Sequence, residues 1–324
     1  MKVISIGSDR KLFEEGSSVL SRVNEYANNM EELHIIVFSL KNLGFKDVHQ
    51  GKLHIYPTNS NSRAGYINDA INKGKQIISK NKDNFVITTQ DPFETGFVGY
   101  RLKSLYNLPL QLQVHTDFLD IHFKTSVLNI VRVVIANFLI KRADGLRVVS
   151  SVIRDSIQRQ FKNLKIEPKV LPIFVDIENI INNPAKRYIG KDFPQFKFII
   201  LMASRLTREK RIDVAIEAMK EVLNKFPHTG LVICGSGTEK NKLISLVKYL
   251  KIEKNIIFTG WQEDLFSYYK TANLFLLTSE YEGYGMTLVE AGASGCPIVT
   301  TKVGLAKTTL FQNGENCEVY EKLD

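Results

Sequence analysis

An apolar run, Leu274-Phe275-Leu276-Leu277, is followed by Glu280-Tyr281-Glu282-Gly283-Tyr284-Gly285 and then by a helix-compatible segment through Glu290 and Ala291. Gly295 and Pro297 stop that segment, and a second apolar run, Ile298-Val299-Thr300-Thr301, begins at once. Short uninterrupted apolar runs are what a strand covered on both faces requires. Two such runs joined through a helix leave parallel pairing as the economical arrangement. The stretch therefore constrains the chain to an α/β fold, with helix N–H groups aimed past a strand's carboxyl end.

The same rhythm recurs along the chain. Val3 to Gly7, Leu33 to Phe38, Leu53 to Tyr56, Phe85 to Thr89, Leu110 to Val114 and Leu146 to Val149 read as strands. Gly16-Ser17-Ser18 is expected to open an amphipathic helix through about Asn28, and further helices are expected from about Gly96 to Tyr106 and Val127 to Lys141. A second series starts at Phe198 to Met202 and continues with Leu231 to Cys234 and Ile256 to Phe258. Its helices are expected near Arg211–Lys225, Glu239–Leu250 and Asp264–Lys270. Between the series, residues 172–196 hold Pro172, Pro184, Pro194 and the Asn182-Asn183 pair, the composition of a linker. The expected organisation is a doubly wound domain over 1–171, a linker over 172–196, and a second doubly wound domain over 197–324, with a cleft between the domains.

A chain of 324 residues is long enough for two such cores. Cys234, Cys296 and Cys317 are too few and too scattered for a disulfide framework, so a reducing cytoplasm is the expected setting. No signal peptide is visible at Met1, and the uncharged run Val133–Ile140 is far too short to span a bilayer. The net charge of +9 is lopsided: residues 1–197 carry 28 Lys+Arg against 19 Asp+Glu, whereas the remainder carries 15 of each. Either this is ordinary solvated surface, or the first domain meets something anionic such as a membrane face or a phosphate-bearing acceptor. No nucleic-acid-binding motif accompanies the charge, so no nucleic-acid partner is expected.

Two carboxylates frame the glycine turn. Glu282 is expected just before the helix and Glu290 two turns inside it, a span of about 12 Å at the helical rise. That length suits a nucleoside diphosphate, with phosphates at the helix N-terminus and hydroxyl-bearing rings at either end. Ala203-Ser204-Arg205-Leu206-Thr207-Arg208-Glu209-Lys210-Arg211 also leaves a strand and opens a helix, here with several cations suited to phosphate. Solvated surface charge is the ordinary alternative for each acid and cation taken alone.

Taken together, these stretches resemble the E-x7-E region and the Arg…Lys pair of the retaining glycosyltransferases of family 4, which have the GT-B fold. Glu282-Gly283-Tyr284-Gly285, Glu290-Ala291 and Gly295-Cys296-Pro297-Ile298-Val299 fall in register with that region. The resemblance implies transfer of a hexose, with retention, from a UDP-, GDP- or ADP-linked sugar to a glycan or lipid-linked acceptor. By the same resemblance Arg205 and Lys210 hold the diphosphate, and Glu290 holds the ribose. Glu282 and the amides of Gly283, Tyr284, Gly285, Met286, Thr287 and Leu288 meet sugar and phosphates. His115, in Val114-His115-Thr116-Asp117, maps to the family's histidine at the donor sugar; a structural role is the alternative.

Gly235, in Cys234-Gly235-Ser236-Gly237, maps to a turn beside the nucleotide, with a purely structural turn left open; Gly16 maps to the loop after the first strand. Phe258-Thr259-Gly260-Trp261 occupies the family's place for contacts to the base, and Trp261 reads as core or lid. Asp91 and Glu94 are acceptor-side candidates, with helix capping the alternative for Glu94 and Thr95. Ile173-Phe174 stands where the family often has Asn-Gly, a departure from its pattern. The family's last helix is expected to be missing, since the chain stops at Leu323-Asp324.

No cofactor is expected. No metal is expected either, because no Asp-x-Asp or His/Cys/carboxylate spacing suggests one. Cytoplasmic placement, peripheral on a membrane through the basic first domain, completes the expectation. An epimerase of the same fold and a non-catalytic nucleotide-sugar-binding protein are the competing readings.

Overall fold

The structure, a computed structural model, describes residues 1–80 and 85–321. The chain end at Leu323-Asp324, and with it the expectation about a missing last helix, lies outside the described residues. The chain divides into two compact units, Met1–Pro172 and Ile173–Asp324.

Among the described residues, eight strands form the sheet of the first unit. They are β1 (Lys2–Gly7), β2 (Glu32–Val37), β3 (Val48–Gln50), β4 (Leu53–Pro57), β5 (Phe85–Thr89), β6 (Leu110–Val114), β7 (Gly145–Val148) and β8 (Lys169–Val170). Their order is β3-β4-β2-β1-β5-β6-β7-β8, parallel except for the β3–β4 hairpin at one edge. The helices are α1 (Ser18–Asn28), α2 (Tyr66–Lys80), α3 (Glu94–Tyr106), α4 (Val127–Ile140) and α5 (Ser151–Gln160). Alternation along β2 sends Leu33, Ile35 and Val37 into a core shared with Leu53, Ile55 and Ala27 of α1. Strand order reverses between β1 and β5, which places the loops carrying Gly16 and Gln90 at the sheet's switch point.

The second unit begins with two short helices, α6 (Ile177–Asn182) and α7 (Ile189–Asp192), inside the stretch whose prolines read as a linker. Ile180, Ile189 and Phe196 are buried, and Ile189 and Phe196 join the second unit's core. The segment is also tied by hydrogen bonds from Lys186 N to Ser267 Oγ (2.8 Å) and from Ile189 N to Thr271 Oγ1 (3.2 Å). Three apolar side chains thus outweigh the local breaker signals.

Six further strands follow: β9 (Phe198–Ala203), β10 (Thr229–Cys234), β11 (Ile256–Gly260), β12 (Leu274–Leu277), β13 (Ile298–Thr301) and β14 (Glu318–Tyr320). They pair in parallel in the order β11-β10-β9-β12-β13-β14. Relative to the first strand this is the 3-2-1-4-5-6 order of dinucleotide-binding sheets, with its switch point between β9 and β12. Helices α8 (Ile212–Lys225), α9 (Lys240–Leu250), α10 (Leu265–Thr271) and α11 (Met286–Ala293) connect them. Two cores sandwich the sheet: one runs from Ile216 and Met219 to Leu243 and Val247, the other is built on Tyr268, Tyr269, Phe275 and Leu288.

Candidate functional site

The loops leaving β9 and β12 meet at the switch point of the second unit. Thr278 Oγ1 donates to the carbonyls of Lys210 (3.0 Å) and Arg211 (2.8 Å), and Glu280 N donates to Glu209 O (2.8 Å). These bonds hold Lys210 in a short 3-10 turn over Arg208–Lys210 and carry its ammonium to Glu282 Oε1 at 2.6 Å. Both side chains are nearly buried, at 11% and 12% exposure, so solvent screens the pair poorly. The Ser279 hydroxyl donates to the same carboxylate oxygen at 2.7 Å. Arg205 is 76% exposed and reaches Glu209 at 3.6 Å, which leaves its guanidinium at the rim. Arg208 is exposed, and Arg211 pairs with Asp213 at 3.3 Å.

Gly285 opens α11 with φ +93°, and no side chain caps the helix. A residue with a Cβ is strained at that φ, and a capping hydroxyl would occupy the amides that an anion needs. Gly283 is half-buried, while Tyr284 and Gly285 are buried. Met286 and Thr287 are half-buried. The Leu288 side chain is fully buried in the core and its N–H donates to Gly285 O at 3.0 Å. Helix onset at Met286 changes the expected geometry: Glu282 lies four residues ahead of α11, and Glu290 is its fifth residue, little more than one turn inside. Glu290 accepts a hydrogen bond from the buried Tyr269 hydroxyl at 3.1 Å. Burial raises the Glu290 carboxyl above the usual carboxylate range, against the opposing pull of that bond.

Gly235 has φ +131°, and a Cβ built there would meet Ser204 O at 1.9 Å. Its loop instead packs backbone to backbone on the strand end, with Ser204 N donating to Cys234 O (3.1 Å) and Leu206 N to Ser236 O (2.9 Å). Gly235 thus fixes the approach of the Arg205 loop. Trp261 is exposed.

In the first unit His115 follows β6, its Nε2 3.2 Å from Gln113 Oε1, which also accepts from Arg147 Nη1 at 2.9 Å. Burial, aided by the Arg147 charge, lowers its pKa to about 4, so the imidazole is neutral at pH 7. Gly16 is exposed, and the N-terminus of α1 behind it is already capped by Ser17 Oγ, which accepts from Leu20 N at 3.1 Å. Asp91 Oδ1 accepts from Phe93 N (2.8 Å) and Thr95 N (3.3 Å) at the start of α3. Glu94 pairs with Arg132 of α4 at 2.9 Å. Capping therefore falls to Asp91, and Glu94 fastens two helices.

Sequence reasoning did not single out Thr278, Ser279, Glu209 or Tyr269. The polar residues just past β12 were the available signal for the first two; Tyr269, buried on α10, left none. Among the described residues, one group of three His or carboxylate side chains gathers closely enough to hold a metal ion: Glu32, His34 and His54 in the first unit. Linear spacing did not reveal it, because strand register assembles it.

Two doubly wound α/β units, the later with a cation-and-helix site at its switch point, define the GT-B fold class. More particularly, residues 190–321 match the family model for glycosyl transferases group 1, so the later unit is a domain of that family. An uncharacterized glycosyltransferase of Methanocaldococcus jannaschii is 27% identical over 234 residues, covering 70% of this chain and 57% of that protein. The alpha-monoglucosyldiacylglycerol synthase of Streptococcus pneumoniae is 27% identical over 235 residues, covering 68% and 53%. The chain thus spans little more than half the length of these relatives.

Among solved structures, sucrose-phosphate synthase from Thermosynechococcus elongatus superposes with a TM-score of 0.80 at 19% identity, covering 100% of this chain and 87% of that one. Anabaena HepE in complex with UDP-glucose gives 0.75 at 20% identity, covering 99% and 86%. These likenesses are of fold.

Proposed function

We propose that the protein is a glycosyltransferase that moves a hexose from UDP to an acceptor hydroxyl, with retention, in the synthesis of a glycan or glycolipid. The observation that carries the reading is the Lys210–Glu282 pair, set at the switch point beside the uncapped start of α11. A diphosphate entering there takes over Lys210, gains Arg205 from the rim, and meets the first-turn amides of α11. Charge developing on the leaving diphosphate is then met by groups already in position. Glu282, released from Lys210, accepts from sugar hydroxyls, and Glu290 accepts from the ribose. His115, held neutral, offers an uncharged imidazole suited to a sugar hydroxyl.

UDP as the nucleotide draws on the UDP-glucose complex of HepE, and a lipid acceptor draws on the diacylglycerol-linked product named for the pneumococcal relative. A peripheral membrane setting has support in α4. Val127, Leu128, Ile130, Val131 and Val134 are each about half exposed or more, and Lys124, Lys141 and Arg142 flank them. Among the described residues no helix is long and apolar enough to cross a membrane.

The test is Arg205→Ala combined with Lys210→Ala. Two charge-assisted contacts, each worth roughly 1.5–3 kcal/mol, predict a loss of UDP affinity on the order of 100-fold or more, read by calorimetry, and loss of transfer. Unchanged UDP binding and turnover would overturn the reading.

A further inference from the structure

We propose that Glu32, His34 and His54 form a binding site for one divalent transition-metal ion of the zinc class, at the amino end of the first unit's sheet. Register builds it. β2 and β4 pair in parallel with His34 opposite His54, and β3 folds back antiparallel with His49 opposite His54. Three imidazoles therefore stand in a row across three strands, and Glu32 shares the His34 face of β2 because side chains two apart point the same way. One ligand atom from each of Glu32, His34 and His54 lies within 4.8 Å of the others. Tetrahedral zinc, with ligand bonds of about 2.0–2.1 Å, sets its ligand atoms about 3.3 Å apart. His34 Nε2 and Glu32 Oε2 are already 2.9 Å apart, so a small rotation of the half-buried His54 closes the set.

Glu32 supplies the negative charge that a cation needs, against the opposing ammonium of Lys2. Lys2 Nζ pairs with the other carboxylate oxygen, Glu32 Oε1, at 3.2 Å and leaves Oε2 for the metal. Tyr56 Oη lies 3.3 Å from His34 Nδ1, the outer contact that orients a ligating imidazole. Two imidazoles and a carboxylate are a zinc, nickel or copper donor set rather than a calcium or magnesium one. The fourth position falls to water or to His49, which is exposed and has its Nδ1 3.0 Å from His54 Nδ1. That open flank is the entry path. The amino end of the sheet is opposite the strand ends that carry Gly16, Gln90 and His115, so the ion would pin β2 to β4 beside the hairpin edge and take no part in transfer.

The full chain, tag-free and stripped with a chelator, is titrated with zinc chloride alone by calorimetry and by competition with a chromophoric chelator. The expected result is one zinc per chain, with affinity reduced about 100-fold or more by His54→Gln and unaltered by His228→Gln in the second unit. Cobalt in place of zinc should give the visible absorption of a four-coordinate N/O site, absent in His54→Gln. Glu32→Gln carries the same expectation should His54→Gln fail to fold. Absence of saturable binding at one equivalent, or equal binding by wild type and both variants, overturns the proposal.

Discussion

His115 and Glu290 are shifted in ways that separate structure from function. An unfolded chain protonates His115 near the ordinary 6.5, whereas the folded chain resists until about pH 4. Folding stability from this group is therefore complete above pH 6.5 and lost as pH falls towards 4. The full loss is on the order of 3 kcal/mol, at about 1.4 kcal/mol per pH unit. Urea denaturation at pH 7, 5.5 and 4.5 should show that slope in the wild type and a correspondingly shallower one in His115→Gln. Glu290 runs the other way. Its folded carboxyl holds a proton more tightly than the unfolded one, so its contribution is best at low pH and is lost as pH rises through the carboxylate range and beyond. Glu290→Gln keeps an acceptor for Tyr269 without a buried charge. It should melt no lower than wild type at pH 7, and higher if burial dominates, while binding UDP about tenfold more weakly. Thermal melting and calorimetry on one preparation read both effects, and a drop in melting temperature would count against the burial argument.

Elements with continuous or alternating apolar runs were legible in the sequence: β1, β2, β5, β6, β9, β10 and β12 all lie within a few residues of where the runs sit. Helix α2 was passed over, although Ile67, Ala70, Ile71, Gly74, Ile77 and Ile78 recur at helical spacing along it. Residues 172–196 misled through their prolines. The site was legible as two loops, since each follows a strand, but Lys210 and Glu282 are 72 positions apart, and it takes the β9–β12 pairing and the Thr278 and Glu280 hydrogen bonds to join them. The apolar content of α4 was visible, yet its direction was not: Val127, Val131 and Val134 run along one outer stripe with Phe138, whereas Val133, Ala136 and Leu139 face the core. A membrane-docking role makes this stripe matter. Val131→Asp with Val134→Asp removes two apolar side chains from the bilayer boundary and adds charge repelled by anionic lipid, so partition to phosphatidylglycerol vesicles should fall about tenfold or more. Co-sedimentation measures this, with UDP affinity as the control expected to stay constant. Equal sedimentation of variant and wild type would remove α4 from the membrane-facing surface.

At the scale of the molecule, each unit has its own sheet and its own cores, and the donor-binding residues proposed here are unevenly shared between them. Arg205, Lys210, Glu282, the start of α11 and Glu290 all belong to the second unit, whose buried clusters draw on residues from Ile189 to Cys317. Helices α6 and α7 belong with that unit, so a cut after Pro172 preserves the hydrogen bonds to Ser267 and Thr271, whereas a cut at the end of the apparent linker destroys them. Residues 173–324 expressed alone should therefore fold cooperatively and bind UDP within about tenfold of the full chain, while transferring no sugar. A fragment starting at residue 197 should melt lower, since it loses the buried Ile189 and Phe196, each worth roughly 1.5–3 kcal/mol of burial. Denaturation curves and UDP titrations of the two fragments make the comparison. A folded 173–324 fragment that ignores UDP would mean that the first unit supplies part of the nucleotide grip, and the assignment of the diphosphate to Arg205, Lys210 and α11 alone would have to be revised.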